Sequence, residues 1–344
     1  MADPWSLRVV IVGNADSAAN AIQGLGDTAE ETGGRFEGFG GKLAGIGEKV
    51  KGLGAGLIAG LAIGGIAEQF SKGLDEIANR AKLAASMGLS GADAAKAGKL
   101  AGDLYVSGFG ESTAETGQIV KRVHDDLNVS VNSVDFKPIA DKVATVSKVM
   151  DQDVGGTTRA VANLMRNGLA KNANEALDIV AAGFTHGVDK SEDFLDTLNE
   201  YGVQFRKMGL DGATATGILS QGLKGGARDA DLVADAIKEF SLRALDGSAT
   251  TAQGFKAIGL NADTMAKRIG KGGKSASDAL QETMDKLRGI KDPVKQSQAA
   301  VALFGSQAED LGKALYSIDP KSAVSSLGKV GGDAQQMSDT MHQN

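Results

Sequence analysis

Residues 209–211 read Gly-Leu-Asp, and this order of a glycine, an aliphatic residue and a capping residue recurs along the chain. It stands at three further places, Gly88-Leu89-Ser90, Gly187-Val188-Asp189 and Gly259-Leu260-Asn261. Glycine supplies the left-handed residue that ends a helix, the aliphatic side chain covers the preceding turn, and Ser, Asp or Asn caps the next helix. The glycines of this motif, Gly88, Gly187, Gly209 and Gly259, therefore predict helix–helix junctions.

Capping boxes predict further helix starts. The pairs are Asp189 with Glu192 and Ser306 with Glu309, and Asn172 with Glu175 is similar. The junctions recur at irregular intervals, which argues against a solenoid of fixed period. We expect a mainly α fold, a compact bundle of about ten short helices from roughly Ala84 to Ser317.

The composition agrees with closely packed helices. The chain has 344 residues, of which 48 are glycine, and only 4% are aromatic. Its cores must therefore be built from Ala, Leu, Ile and Val, whereas sheets favour aromatic and β-branched residues. The net charge of −6 argues against a nucleic-acid-binding domain, which normally carries a basic surplus.

An uncharged segment, Gly52–Ala67, stands ahead of this region. It carries glycines at four-residue spacing, which places them along one helix face: Gly52, Gly56, Gly60 and Gly64. Such a stripe lets two helix backbones approach closely. Three interpretations stay open at this point: a helix packed tightly within an assembly, a helix in contact with a membrane, and a flexible linker. Sixteen residues fall short of the ~20 that usually span a bilayer.

The first apolar run, Leu7–Val12, is rich in β-branched residues and predicts one short N-terminal β-strand. Together with the features above, it divides the chain into four parts. These are a strand and short helix (1–32), a glycine-rich linker with the apolar glycine-stripe helix (33–83), the helical domain (84–318), and the start of a polar helical or disordered extension (319–344).

No arrangement of residues points to catalysis, to a metal site or to a cofactor. Cysteine is absent, and none of the three histidines, His124, His186 and His342, has a second histidine at ligand spacing. The run Gly270–Ser275 imitates the end of a phosphate-binding loop, but the position of the first Walker glycine is Arg268 and no strand precedes it. We therefore expect a protein that is not an enzyme.

Several stretches, in order along the chain, resemble phage tail tape measure proteins, the minor tail proteins that determine tail length. The opening, with Gly13–Asp16 after its short apolar run, is similar to theirs. The longer matching stretches are Met87–Tyr105, Ala182–Leu210, Leu232–Leu242 and Ala302–Leu315.

The resemblance implies a structural protein of the virion that lies in the tail lumen, and in the host cytoplasm during assembly. It would set the length of the tail tube and take part in genome delivery. Its implied partners are copies of itself, tail tube and tail-tip proteins, tail assembly chaperones and the host membrane.

The sequence departs from this family in two respects. Members are usually much longer, and here no sustained heptad run provides an extended ruler. We therefore expect a fragment that carries the conserved helical region. The alternative function is a membrane-active pore or translocation protein that acts through the glycine-stripe helix.

Overall fold

The computed structural model describes residues 79–328 and 330–343, and within these ranges the chain is helical and contains no β-strand. The prediction of a mainly α fold is confirmed for this part of the chain. The predicted strand Leu7–Val12 and the segment Gly52–Ala67, with its stripe of four glycines, lie outside the described residues.

Residues 79–86 are helical, and fourteen α-helices follow them in the described part of the chain. They are α1 (Gly91–Val106), α2 (Thr113–Asp125), α3 (Phe136–Val149), α4 (Val154–Arg166), α5 (Ala173–Thr185), α6 (Phe194–Lys207), α7 (Gly212–Lys224), α8 (Ala230–Asp246), α9 (Ala249–Ala257), α10 (Ala262–Lys271), α11 (Gly273–Arg288), α12 (Pro293–Phe304), α13 (Gln307–Leu311) and α14 (Asp333–Gln343). Two 3₁₀ helices, Gly312–Ser317 and Val324–Leu327, lie between α13 and α14.

Each of the four predicted junction glycines follows a helical segment, and its own φ is positive. The angles are +66° at Gly88, +72° at Gly187, +68° at Gly209 and +74° at Gly259. The residue after each glycine donates its N–H to the carbonyl five residues back, at distances of 2.8 to 3.0 Å. This is the Schellman geometry, which satisfies carbonyls that the end of a helix leaves free. Among the described residues, the residue after each of three further glycines also donates to the carbonyl five residues back; these glycines are Gly108, Gly168 and Gly226.

Of the four predicted junction caps, Asp211 and Asn261 cap the next helix through their side chains, whereas Ser90 precedes α1 without a side-chain capping bond. Asp211 accepts a hydrogen bond from the N–H of Thr214 at 2.7 Å, and Asn261 accepts one from Thr264 at 2.9 Å. Asn172 accepts from the N–H of Glu175 at 3.0 Å. Each bond satisfies one of the free N–H groups in the first turn.

The two predicted capping boxes are wrong. Glu192 lies outside any described helix, because α6 begins only at Phe194, and its own φ is +59°. Asp189 Oδ1 instead accepts a hydrogen bond from the N–H of Phe194 at 3.0 Å. Ser306 does precede α13, but its backbone is already helical (φ −61°, ψ −26°) and its side chain makes no capping bond. A capping side chain turns back onto the helix from an extended backbone, which Ser306 lacks.

Helix α7 is buried along most of its length between α5, α8 and both 3₁₀ helices. Its glycines leave the space that its neighbours fill. A methyl group on Gly222 would lie 2.5 Å from Cγ2 of Val233 in α8, and one on Gly217 would lie 2.1 Å from the carbonyl oxygen of Ala323. The helix can therefore pack this closely only because residues 217 and 222 are glycine.

The residues from Leu83 onward form one compact unit. Residues after 318, for which the sequence predicted a polar helical or disordered extension, contribute to this unit. Ala323, Leu327 and Ala334 are fully buried, and α14 packs against α3 and α5. Asp178 of α5 accepts hydrogen bonds from the N–H groups of Gly332 and Ala334. None of the described helices is long and apolar enough to cross a membrane.

Candidate functional site

Helix α8 is the element on which three of the stretches that carry the resemblance meet. One of these stretches, Leu232–Leu242, lies within α8 itself. Ala182–Leu210 contributes α6 on one side, and Ala302–Leu315 contributes the end of α12, all of α13 and part of the following 3₁₀ helix. The fourth stretch, Met87–Tyr105, lies apart from this centre because α1 packs on α2.

The sequence defines α8 at both ends. Asp229 accepts a hydrogen bond from the N–H of Leu232 at 2.8 Å and so caps the first turn. Gly247 ends the helix in the left-handed conformation, with a φ of +67°. Between them, Val233, Ile237 and Phe240 recur at helical spacing and are fully buried. The helix therefore presents a continuous apolar face to its neighbours.

Three phenylalanines join α8 to α9 and α12. The rings of Phe240 and Phe304 are stacked with centroids 4.9 Å apart and planes inclined by 18°. Phe255 of α9 meets Phe240 edge-on at 6.3 Å. All three side chains are fully buried. In a chain with so few aromatic residues, this cluster concentrates much of the large apolar surface at one point.

The turn that follows α12 crosses over α8. Arg243 pairs with Glu239 on α8 at 2.6 Å, and this ion pair lies directly against Gly305. A methyl group on Gly305 would approach Arg243 Nε to 2.9 Å, and the φ of this glycine is +67°. One turn earlier on α8, Asp235 accepts a hydrogen bond from Gln307 Nε2 at 2.7 Å. The backbone at Gly305 (φ +67°, ψ −154°) has a conformation that is essentially limited to glycine, so a residue with a side chain would strain this turn.

On its other side, α8 meets α6 through polar contacts. Asp193 Oδ2 accepts a hydrogen bond from the N–H of Asp231 at 2.9 Å, and the Tyr201 hydroxyl donates to Asp231 Oδ2 at 3.3 Å. The ammonium group of Lys238 lies 5.4 Å from the centroid of the Tyr201 ring. Tyr201 is only 3% exposed, whereas Asp231 and Lys238 are half-buried, so these contacts lie at the edge of the core.

Burial and neighbouring charges change the pKa values of Tyr201 and Asp231. Burial raises the pKa of Tyr201 well above its ordinary value, and the nearby carboxylates of Asp235 and Asp231 raise it further. Burial also raises the pKa of Asp231, with Glu200 adding to the effect. A phenol in this position stays neutral and acts as a hydrogen-bond donor.

The structure does not gather the predicted junction glycines into one site. Gly88 and Gly259 have no atom within 4 Å of the position that a side chain would take, and Gly187 meets only Lys190 Cε at 3.3 Å. Gly209 differs, because a methyl group there would lie 1.9 Å from the carbonyl oxygen of Gly273. Gly209 therefore both ends α6 and lets the start of α11 approach.

No group of side chains suited to hold a metal ion occurs within 79–328 and 330–343. The sequence predicted no metal site. It also did not reveal that α8 packs against α6, α12 and α13. The one hint in the sequence is that two of the family-like stretches contain the buried phenylalanines Phe240 and Phe304.

Comparison with known proteins decides the family. Residues 131–305 match the family described as phage-related minor tail protein, so the match runs from just before α3 to Gly305. The chain belongs to this family. The resemblance found in the sequence is thereby confirmed.

This minor tail protein is also 44% identical over 204 residues to the "Probable tape measure protein" of Streptomyces phage phiC31. The aligned part makes up 59% of this chain and 28% of that relative. The chain thus spans just over a quarter of the relative's length. No solved structure matches the chain.

Proposed function

We propose that this protein is a structural and assembly component of a phage tail and that it takes part in setting the length of the tail tube. The observation that carries the proposal is the family match over residues 131–305, together with the 44% identity to a probable tape measure protein. The proposed role is not enzymatic.

The geometry favours a docking role for residues 83–343 within that function. The longest described helix, α8, has 17 residues, which corresponds to about 25 Å at 1.5 Å per residue. Short helices that fold back on one another provide little reach along a tube. The bundle instead serves as a compact unit that other tail components contact, and α8 holds that unit together.

Tail tube proteins, tail-tip proteins, tail assembly chaperones and copies of the same chain are the proposed partners. The protein would lie in the tail lumen of the virion and in the host cytoplasm during assembly. A part in genome delivery is a further element of the proposal. The stripe of Gly52, Gly56, Gly60 and Gly64 is proposed as the segment for self-association or for contact with the host membrane. The boundaries between the four predicted parts of the chain, at residues 32, 83 and 318, stay predictions.

Fractionation of purified phage tests the location directly. Virions are separated into capsids and tails, and the protein is quantified in each fraction by mass spectrometry against the major tail tube protein as the internal standard. We expect a few copies per tail and none in capsids. A protein found only in extracts of infected cells, and absent from tails, would contradict the proposal.

A further inference from the structure

A short segment, which we call the strap, crosses helix α7 between Ile318 and Gly328. It follows directly on the first 3₁₀ helix and contains the second. Its backbone lies against α7 at Gly217, where a methyl group would stand 2.1 Å from the carbonyl oxygen of Ala323. Gly312, before the strap, and Gly328, at its end, have positive φ angles that interrupt regular helix at both places.

Polar side chains of the bundle hold the strap by its backbone. The amide of Gln221 accepts from the N–H of Asp319 at 2.8 Å and donates to the same residue's carbonyl at 3.1 Å. Gln281 Oε1 accepts from the N–H of Lys321 at 2.9 Å, and Lys224 Nζ donates to the carbonyl of Ser326 at 3.0 Å. Water can replace each of these bonds when the strap leaves, so each contributes little net stability.

The surface under the strap is partly polar. Gly217, Gln221 and Lys224 face it from α7. Ser220 stands three residues after Gly217 and four before Lys224, a spacing that places it on the same helix face. Ser220 is 1% exposed and its hydroxyl has no hydrogen-bond partner. A buried hydroxyl without a partner gains a hydrogen bond when water reaches it. The strap itself buries only three aliphatic side chains completely, those of Ile318, Ala323 and Leu327.

We propose that the strap is a reversible cover that opens while the rest of the bundle stays folded, and that opening exposes the glycine- and serine-containing face of α7. The contrast with α8 supports this. Stacked phenylalanines hold α8 and α12 together, whereas three buried aliphatic side chains and hydrogen bonds that water can replace hold the strap. The low-stability regions of a fold open locally at a smaller free-energy cost than global unfolding.

Thiol labelling tests the proposal, and the absence of cysteine in the chain makes a single introduced thiol unambiguous. The probe variant is Ser220→Cys. The matched control is Thr197→Cys on α6, where the native hydroxyl is likewise buried and without a partner but lies away from the strap. We expect the Ser220→Cys thiol to react at least tenfold faster, which corresponds to about 1.4 kcal/mol, at a rate that low urea hardly changes. Equal rates with the same dependence on urea would overturn the proposal.

Hydrogen exchange in the unmodified chain gives a second, independent measurement. The N–H groups of Asp319 and Lys321 should exchange at least tenfold faster than those of Ile237 and Phe240 in α8. If the strap and α8 exchange at the same rate and respond equally to urea, the strap opens only with the whole bundle and the proposal is wrong.

Discussion

The ring of Phe304 stacks on the ring of Phe240 with centroids 4.9 Å apart, and this contact joins two stretches that lie more than 60 residues apart in the chain. Both side chains are fully buried. Phe240 belongs to α8 and Phe304 ends α12, so the pair links the middle of the bundle to the last helices before the strap. The stability of the whole unit should therefore respond to either ring.

Removing the Phe304 ring should lower the free energy of unfolding by about 3–5 kcal/mol, because Phe304→Ala leaves a cavity beside Phe240. Urea denaturation followed by circular dichroism measures the change. The control is Val106→Ala, because Val106 is 86% exposed and its truncation should change stability by less than about 0.5 kcal/mol. Equal effects of the two substitutions would show that the stacked pair does not support the bundle.

Two junction glycines with nearly the same φ should respond differently to alanine. Gly259→Ala has free space around the new methyl group and should cost about 1–2 kcal/mol for the left-handed backbone. Gly209→Ala pays the same cost, and the methyl group also meets Gly273, which should add about 1–3 kcal/mol. Thermal and urea denaturation of both variants measure the difference. Similar losses would contradict the close approach at Gly209.

Ser248 and Ser306 both stand at a helix start, but only Ser248 caps the helix with its side chain. Ser248 accepts a hydrogen bond from the N–H of Thr251 at 3.2 Å, so Ser248→Ala should cost about 1 kcal/mol. Ser306 makes no capping bond, and Ser306→Ala should change stability by less than about 0.5 kcal/mol. Chemical denaturation of the two variants compares them. A larger loss at Ser306 would restore the capping box that the sequence predicted.

The helix junctions could be read from the sequence because they depend on local chemistry. Gly209, Leu210 and Asp211 determine the end of α6 and the cap of α7 through contacts within a few residues. Ser306 shows the limit of such reasoning. Its spacing to Glu309 suits a capping box, but its helical backbone after Gly305 decides the outcome, and no short motif reveals that conformation.

Helix α8 lies at the centre of the bundle because of contacts between residues that are far apart in the sequence. The periodicity of hydrophobic residues along the chain does not predict such contacts. Phe240 with Phe304 and Asp235 with Gln307 are examples. The same holds for the strap, where the polar residues after Pro320 suggested an extension. The contacts of Gln221 and Gln281 with its backbone appear only when helices α7 and α11 are in place.

The Tyr201 hydroxyl should make stability depend on pH above 10. Its pKa is raised in the folded chain, so the phenol stays neutral there while the unfolded chain ionises near pH 10. The free energy of unfolding should therefore fall by up to about 1.4 kcal/mol per pH unit from this group as the pH rises above 10. In Tyr201→Phe this contribution disappears and the decline becomes shallower.

The matched control for that measurement is Tyr105→Phe, because Tyr105 is 45% exposed. Urea denaturation between pH 9 and 11.5 should give this variant the slope of the unmodified protein. An unchanged slope in Tyr201→Phe would mean that the buried contact with Asp231 does not govern the pH response.

The most direct test of a role in the tail is the length of tails made without this protein. The gene is deleted from the phage and supplied again from a plasmid, and tail lengths are measured by electron microscopy in both lysates. We predict that tails are absent or irregular in length without the protein and regain a uniform length when it is supplied. Tails of normal number and uniform length in the deleted phage would contradict the account.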